Sequence, residues 1–328
     1  MSTKAGTVGC IGAGRMGRGI AQCASYFGYE VKLLDAKPRS RTDYGRLRAG
    51  AFDEVEASLQ SLAKLGAFDA KHVGRLRDRV SVFPREEADA ALADADIVFE
   101  AVPEVVEHKA DAFTLFADHG EREAICASTT STFLSTMLAA YVAEPRRFLN
   151  AHWLNPAFLM PLIELSPAEE TSEATIAKVS EFLEAIGKVP VVCKASPGYI
   201  VPRIQALAMN EAARIVEEGV ASAEDVDKAV TYGFGLRFAV LGLLEFIDWG
   251  GGDILFYASR YMAEAMDDDR FRAPDVVVKN MEEGRIGLRS GSGFLDYSNL
   301  DVEAYRAERL GQFLSMLKHL GLARPPVL

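Results

Sequence analysis

Positive charge is in short supply. Lys and Arg number 36 against 47 Asp and Glu, a net charge of −11, which disfavours non-specific attraction to nucleic acid or to an anionic membrane surface. Cysteine is scarcer still. Cys10, Cys23, Cys126 and Cys193 are scattered, with no Cys-x-x-Cys pair and no His at ligand spacing, so no metal site is expected. Such thiols read as reduced, mostly buried residues of a cytoplasmic protein. No apolar run approaches the ~20 residues needed to cross a bilayer, and the start, Met-Ser-Thr-Lys-Ala-Gly, has no basic segment followed by an apolar one. Neither export nor a membrane anchor is expected. Repeats, heptads and low-complexity tracts are also missing. What is present is ordinary globular composition, 49% hydrophobic and 25% charged over 328 residues, enough for about two domains.

In the first half, short apolar β-rich runs alternate with longer helical patterns, the rhythm of a parallel sheet covered by helices on both faces. Strands are expected over 7–11, 30–34, 79–83, 97–100, 124–127 and 148–152, with 161–165 and 189–193 finishing the domain. Helical spacing covers 16–26, 104–117 and 176–185, and 36–78 suits a helical excursion from the sheet. The turn-forming cluster Lys194, Ala195, Ser196, Pro197 and Gly198 then marks a boundary, giving domains 1–195 and 196–328. Beyond it, helical periods run over 204–218, 223–231, 241–266 and 302–320. The expected fold class is α/β, a Rossmann-type doubly wound sheet followed by an all-helical C-terminal domain.

Gly12-Ala13-Gly14-Arg15-Met16-Gly17 follows an apolar strand and opens a helical pattern, the context in which three glycines signify a dinucleotide site. Gly12 permits the tight turn, Gly14 lets the backbone approach a pyrophosphate, and Gly17 lets the helix pack against the sheet; Met16 begins that helix. Asp35 ends the next strand, where a carboxylate accepts hydrogen bonds from the adenosine ribose and repels a phosphate there. NAD is therefore preferred. Lys37, Arg39 and Arg41 lie just downstream and leave NADP as the alternative, and FAD shares the glycine spacing.

Of the five histidines, His72, His108, His119 and His319 sit in charge-rich helical surroundings. His152 differs, ending a β-like run near the carboxyl ends of the strands, where open α/β sheets bind ligands. A general base for alcohol oxidation needs a carboxylate to fix its tautomer. Glu164, an acid within the apolar run Leu162-Ile163-Glu164-Leu165, is the candidate partner. From spacing alone, a structural histidine and an edge-strand glutamate are equally good readings.

Three stretches carry a resemblance that extends through essentially the whole chain: the glycine fingerprint, His152-Trp153-Leu154-Asn155-Pro156 with Glu164, and Ser196-Pro197-Gly198-Tyr199-Ile200-Val201. The sequence resembles the L-3-hydroxyacyl-CoA dehydrogenases, with their relatives lambda-crystallin (an L-gulonate dehydrogenase) and L-carnitine dehydrogenase. The resemblance implies a nucleotide-binding domain followed by a helical dimerisation domain, and a homodimer. It also implies His152 as catalytic base, Glu164 as its orienting carboxylate, Ser131 as a hydrogen-bond partner of the reacting oxygen, and Asn155 as a support of the active-site loop. Glu104 and Lys109 match residues on the nicotinamide-ribose side of NAD. Read locally, Ser131 is equally an N-cap of a helix from Phe133, and Glu104 a first-turn acid.

The chain departs from the family pattern at Pro202, where an Asn that contacts substrate usually stands. Proline supplies no side-chain hydrogen bond, although it is tolerated at the start of a helix. The resemblance makes 51–65 the segment that receives the nucleotide end of CoA, with Ser58 and Lys64 as contacts. Arg237, in an apolar surround, can bind a free carboxylate or pair with Glu245 or Asp248. The expected activity is NAD-dependent interconversion of a short L-3-hydroxyacyl-CoA, such as 3-hydroxybutyryl-CoA, and its 3-keto counterpart. A dehydrogenase of a free 3-hydroxy acid and a non-catalytic nucleotide-binding protein are the alternatives. The run Gly287-Leu288-Arg289-Ser290-Gly291-Ser292-Gly293-Phe294 reads as a structural turn motif.

Overall fold

The computed structural model describes residues 6–327, so the start of the chain read above for export signals lies outside the described residues. The first unit begins with β1 (Thr7–Ile11), α1 (Arg15–Tyr26), β2 (Glu30–Leu34), α2 (Arg41–Lys64), α3 (Val73–Arg77) and β3 (Val80–Phe83). It continues with α4 (Ala88–Leu92), β4 (Ala95–Glu100), α5 (Val106–His119), β5 (Ile125–Ser128) and α6 (Ser135–Leu138). Then come β6 (Phe148–Trp153), β7 (Leu162–Pro167), α7 (Glu173–Ala185), β8 (Val189–Val192) and α8 (Val201–Glu217). The helical excursion between β2 and β3 is thus mainly α2. Ser40 caps it by accepting the Asp43 N–H at 3.1 Å, and Ala51, Val55, Leu59 and Leu62 form its buried stripe.

All eight strands form one sheet in the order β3-β2-β1-β4-β5-β6-β7-β8. The strands β1 to β6 are mutually parallel, and their buried runs are near-continuously apolar, as strands covered on both faces require. The chain moves one way from β1 through β2 and β3, and the other way from β4 on. Ligands bind at such a reversal, beyond the carboxyl ends of the strands. One departure from the expected parallel sheet is β7, which runs antiparallel to β6. The connection 154–161 is shorter than the dozen or so residues a parallel crossover needs, so the chain has room only to turn back. The core between sheet and helices includes Val8, Ile20, Leu33, Phe99, Leu149 and Trp153, with Phe99 and Trp153 edge-to-face at 5.6 Å.

The compact units divide between Leu207 and Ala208, inside α8. The second unit holds α9 (Ala223–Ala229), a π-helical turn Val230–Gly235, α10 (Leu236–Phe238), α11 (Leu243–Gly250), α12 (Gly252–Met266), α13 (Asp275–Glu282) and α14 (Val302–His319). The helix expected over 241–266 is two. Gly251 has φ +113°, outside the helical region, and a Cβ there would lie 2.4 Å from Asp253 and 2.6 Å from Arg289. The turn motif at 287–294 wraps the buried Asp248, whose carboxylate accepts the N–H groups of Phe294 and Leu295 and the Tyr297 hydroxyl.

Candidate active site

The glycine turn is built for close approach. Gly12 adopts φ +119°, and a Cβ there would stand 2.5 Å from the Ala101 carbonyl; at Gly17 it would meet the Gly12 carbonyl oxygen at 2.0 Å. Gly14, by contrast, has nothing within 4 Å of a Cβ, and no side chain caps the first turn of α1. Free N–H groups at a helix start therefore face an open hollow, the geometry that takes a pyrophosphate. The hollow is a cavity of about 620 Å³ lined by Gly12, Gly14, Met16, Asp35, Glu104, Ser131, His152 and Asn155 among others. At its far end Asp35 is buried, accepting the Arg39 Nε–H at 2.5 Å and the Lys37 N–H at 3.3 Å. Arg39, weighed above as a partner for the extra phosphate of NADP, is thus already engaged by that acid, and Arg41 does not line the cavity.

The antiparallel turn of β7 places Glu164 directly opposite His152 in the ladder. Both side chains then share one face of the sheet. The His152 Nδ1 lies 2.9 Å from Glu164 Oε2, and the acid is fully buried. Its other oxygen, Oε1, accepts the backbone N–H groups of Ile200 and Val201, each at 2.8 Å. This arrangement makes Glu164 an acceptor on both sides, so Nδ1 carries the hydrogen and Nε2 is the ring atom left to take a proton. The Tyr199 ring stacks on the imidazole at 4.7 Å with 11° between planes. Its backbone sits at φ +48°, and its hydroxyl donates to the Thr130 carbonyl at 2.8 Å and accepts from Asn150 at 3.1 Å.

A second polar cluster joins the other side of the cavity. The buried Lys109 ammonium donates to both oxygens of buried Glu100 at 3.0 Å and lies 3.3 Å from Glu104. Glu104 in turn accepts the Ser131 N–H at 2.7 Å, the Ser131 hydroxyl at 3.3 Å and the Thr130 hydroxyl at 2.9 Å. Lys109 is therefore turned to its two carboxylates and does not line the cavity, whereas Glu104 and Ser131 do. Ser131 caps no helix: the Thr130 hydroxyl oxygen accepts the N–H groups of Thr132 and Phe133 in a turn, and the helix starts only at Ser135, with no side-chain cap. His108, one of the histidines in charge-rich helical surroundings, is exposed and also lines the cavity.

Other candidates stand apart. Ser58 lines a second hollow of about 530 Å³ between α2 and 155–159, where its hydroxyl is tied to Gln22 at 2.8 Å; Lys64 is exposed and outside that hollow. Arg237 lies in the second unit, its guanidinium 4.5 Å over the Phe246 ring. Neither proposed acid partner holds it, since Glu245 binds Arg309 and Asp248 takes backbone amides. Pro202 is the second residue of α8, where a missing N–H leaves no intrahelical bond unmade.

Residues 7–196 match the family described as 3-hydroxyacyl-CoA dehydrogenase, NAD binding domain, and residues 198–297 match 3-hydroxyacyl-CoA dehydrogenase, C-terminal domain. The chain belongs to the 3-hydroxyacyl-CoA dehydrogenase family. Among its relatives, the 3-hydroxybutyryl-CoA dehydrogenase of Bradyrhizobium diazoefficiens is 34% identical over 88% of this chain and 94% of its own. The 5-formyl-3-hydroxy-2-methylpyridine 4-carboxylate 5-dehydrogenase of Mesorhizobium japonicum is 29% identical over 95% of this chain and 97% of its own. A crystal structure of the 3-hydroxyacyl-CoA dehydrogenase of Archaeoglobus fulgidus superposes with a TM-score of 0.74 at 31% identity, covering 97% of this chain and all of that one. The protein is thus an NAD-dependent oxidoreductase of the 3-hydroxyacyl-CoA dehydrogenase family, with the Rossmann-type and helical domains of its relatives.

Proposed function

We propose that the chain interconverts a short L-3-hydroxyacyl-CoA and the 3-ketoacyl-CoA, with the His152–Glu164 pair handling the proton. The observation that carries this reading is the imidazole, fixed by a buried acid on one side and lining the nucleotide cavity on the other. NAD, held by the glycine turn and Asp35, supplies the hydride acceptor. His152 Nε2 takes the hydroxyl proton, and Glu164 balances the imidazolium that forms. Ser131, whose backbone N–H is held by Glu104 at 2.7 Å, gives up its longer 3.3 Å hydroxyl bond to that acid and donates the hydrogen to the same oxygen, so developing charge meets a donor. For CoA, support comes from the second hollow, which adjoins the first through Arg15, Arg18 and Asn155. Oxidation of NADH with acetoacetyl-CoA tests the reading. His152→Ala should lower kcat by about 10²–10⁴-fold with NAD affinity kept, and unchanged turnover would remove His152 from the reaction.

A second reading is favoured by Arg237, a guanidinium with no ion pair among the described residues. A free carboxylate is the partner such a fork takes best. On this reading the substrate is a free hydroxy acid, and the likeness to a pyridine-carboxylate dehydrogenase points the same way. Arg237→Met should raise KM for L-gulonate or L-carnitine about tenfold or more and leave KM for acetoacetyl-CoA alone. No turnover of any free acid by the parent would exclude it. We further propose a homodimer, on the apolar residues that α8 and the second unit leave exposed, and a cytoplasmic setting, on four unpaired thiols.

A further inference from the structure

Lys188, between α7 and β8, is nearly sealed from solvent at 5% exposure. Its ammonium donates to three backbone carbonyls: Ala157 at 2.6 Å, Phe158 at 3.0 Å and Met160 at 2.9 Å. An ammonium has three donors, so the set is complete. Among the described residues it has no carboxylate partner, and no other backbone or side-chain donor reaches those three oxygens. A cation buried without a counter-charge is costly, and burial pulls the Lys188 pKa below the usual lysine range even with the Cys23 thiol beside it.

All three carbonyls belong to one stretch, the connection 154–161 that leaves β6 directly after His152 and Trp153. The same ammonium lies 5.7 Å from the ring centroid of Trp153, the last residue of β6 before the connection begins. Leu154 and Asn155 from this connection line the nucleotide cavity, and Asn155 to Leu159 line the second hollow. Its own hydrogen bonds are few: the N–H groups of Leu159 and Met160 share the Pro156 carbonyl, and Val189 donates to the Pro161 carbonyl.

We propose that Lys188 is a positioning residue for the reaction, a three-point clamp that holds the 154–161 connection so that Leu154 and Asn155 keep their places beside His152. The proposal rests on the oxidoreductase reading of that cavity and adds to it a residue outside the cavity. The clamp acts through backbone oxygens, so the identity of the side chains at 157–160 is free to follow the substrate while the path of the chain is held.

The test is hydrogen exchange by mass spectrometry on full-length Lys188→Met, together with its kinetics. The peptide covering 154–161 should exchange about tenfold faster or more, with peptides from β1, β4 and α1 unchanged. NAD affinity should stay within about twofold while kcat falls about tenfold or more. Unchanged exchange at 154–161, an equal rise across the whole first unit, or an unchanged kcat would overturn it. Should Lys188→Met fail to fold, Lys188→Gln, which keeps two donors, carries the same test with the same outcomes. If the parent does not turn over acetoacetyl-CoA, the proposed substrate fails, and the exchange measurement still decides Lys188.

Discussion

At His152 the choice of tautomer is made by two backbone amides. Ile200 and Val201 fix which oxygen of Glu164 they bind, and this leaves the other oxygen to face Nδ1. In Glu164→Gln the amide oxygen must stay with those two donors, which turns the NH₂ toward His152 and forces the ring hydrogen onto Nε2. On the mechanism proposed above, a ring in that state cannot accept the hydroxyl proton. We expect kcat to fall by about 10³–10⁴-fold, as the analogous acid-to-amide change does in hydrolytic triads, with little change in melting temperature; a loss under about tenfold would refute the tautomer argument. Glu164 was legible because an acid inside an apolar run needs a partner, and Glu100 carries the same mark at the end of 97–100. Tyr199 was not legible in that way. Its stacking depends on a left-handed backbone conformation at a non-glycine residue, and no local pattern signals that. Lys188 was silent too, because its partners are main-chain oxygens, which every sequence has.

Among the elements, the eight strands were readable to within two residues at either end, whereas α7 and α8 each begin three residues before the first apolar position of their period. Direction and breaks were harder, since the reversal of β7 follows from connection length and the break at Gly251 from a backbone conformation, φ +113°, that only the folded surroundings impose. In the second unit, α11 and α14 are joined through Glu245, which accepts from the Gly242 N–H at 3.0 Å, Arg309 Nε at 2.8 Å and the Tyr305 hydroxyl. Burial works against its charge, yet these three donors outweigh it and hold the carboxyl below its usual range. A lowered folded pKa means that the stabilisation is present above the unfolded value of about 4.3 and disappears as pH falls through the lower folded value. The melting temperature of the parent should therefore drop between pH 5 and pH 3 by more than that of Glu245→Gln, about pH for pH. Parallel losses in the two proteins would assign acid sensitivity elsewhere.

For the molecule as a whole, the alternation of β-rich and helical runs, followed by helical periods alone, announced a Rossmann-type part and a helical part, while the compact units divide between Leu207 and Ala208. What covers the helical domain was beyond composition. The structure leaves Leu207 70%, Met209 68%, Ile254 62% and Tyr261 71% exposed, and none of the residues of α8 is buried. Surfaces of that kind on a stable protein are usually interfaces. Light scattering should report twice the 35.7 kDa chain mass, and Met209→Glu should shift the equilibrium toward one copy. A parent that stays at the mass of a single chain would exclude the dimer.

In an antiparallel pair joined by a short connection, turn type and loop length fix which residues face each other, so the eight residues 154–161 are what bring imidazole and acid into the same rung. A single residue added to or taken from that span threatens to slide one strand past the other and turn Glu164 to the opposite face of the sheet, away from His152, whatever the ammonium beneath still grips.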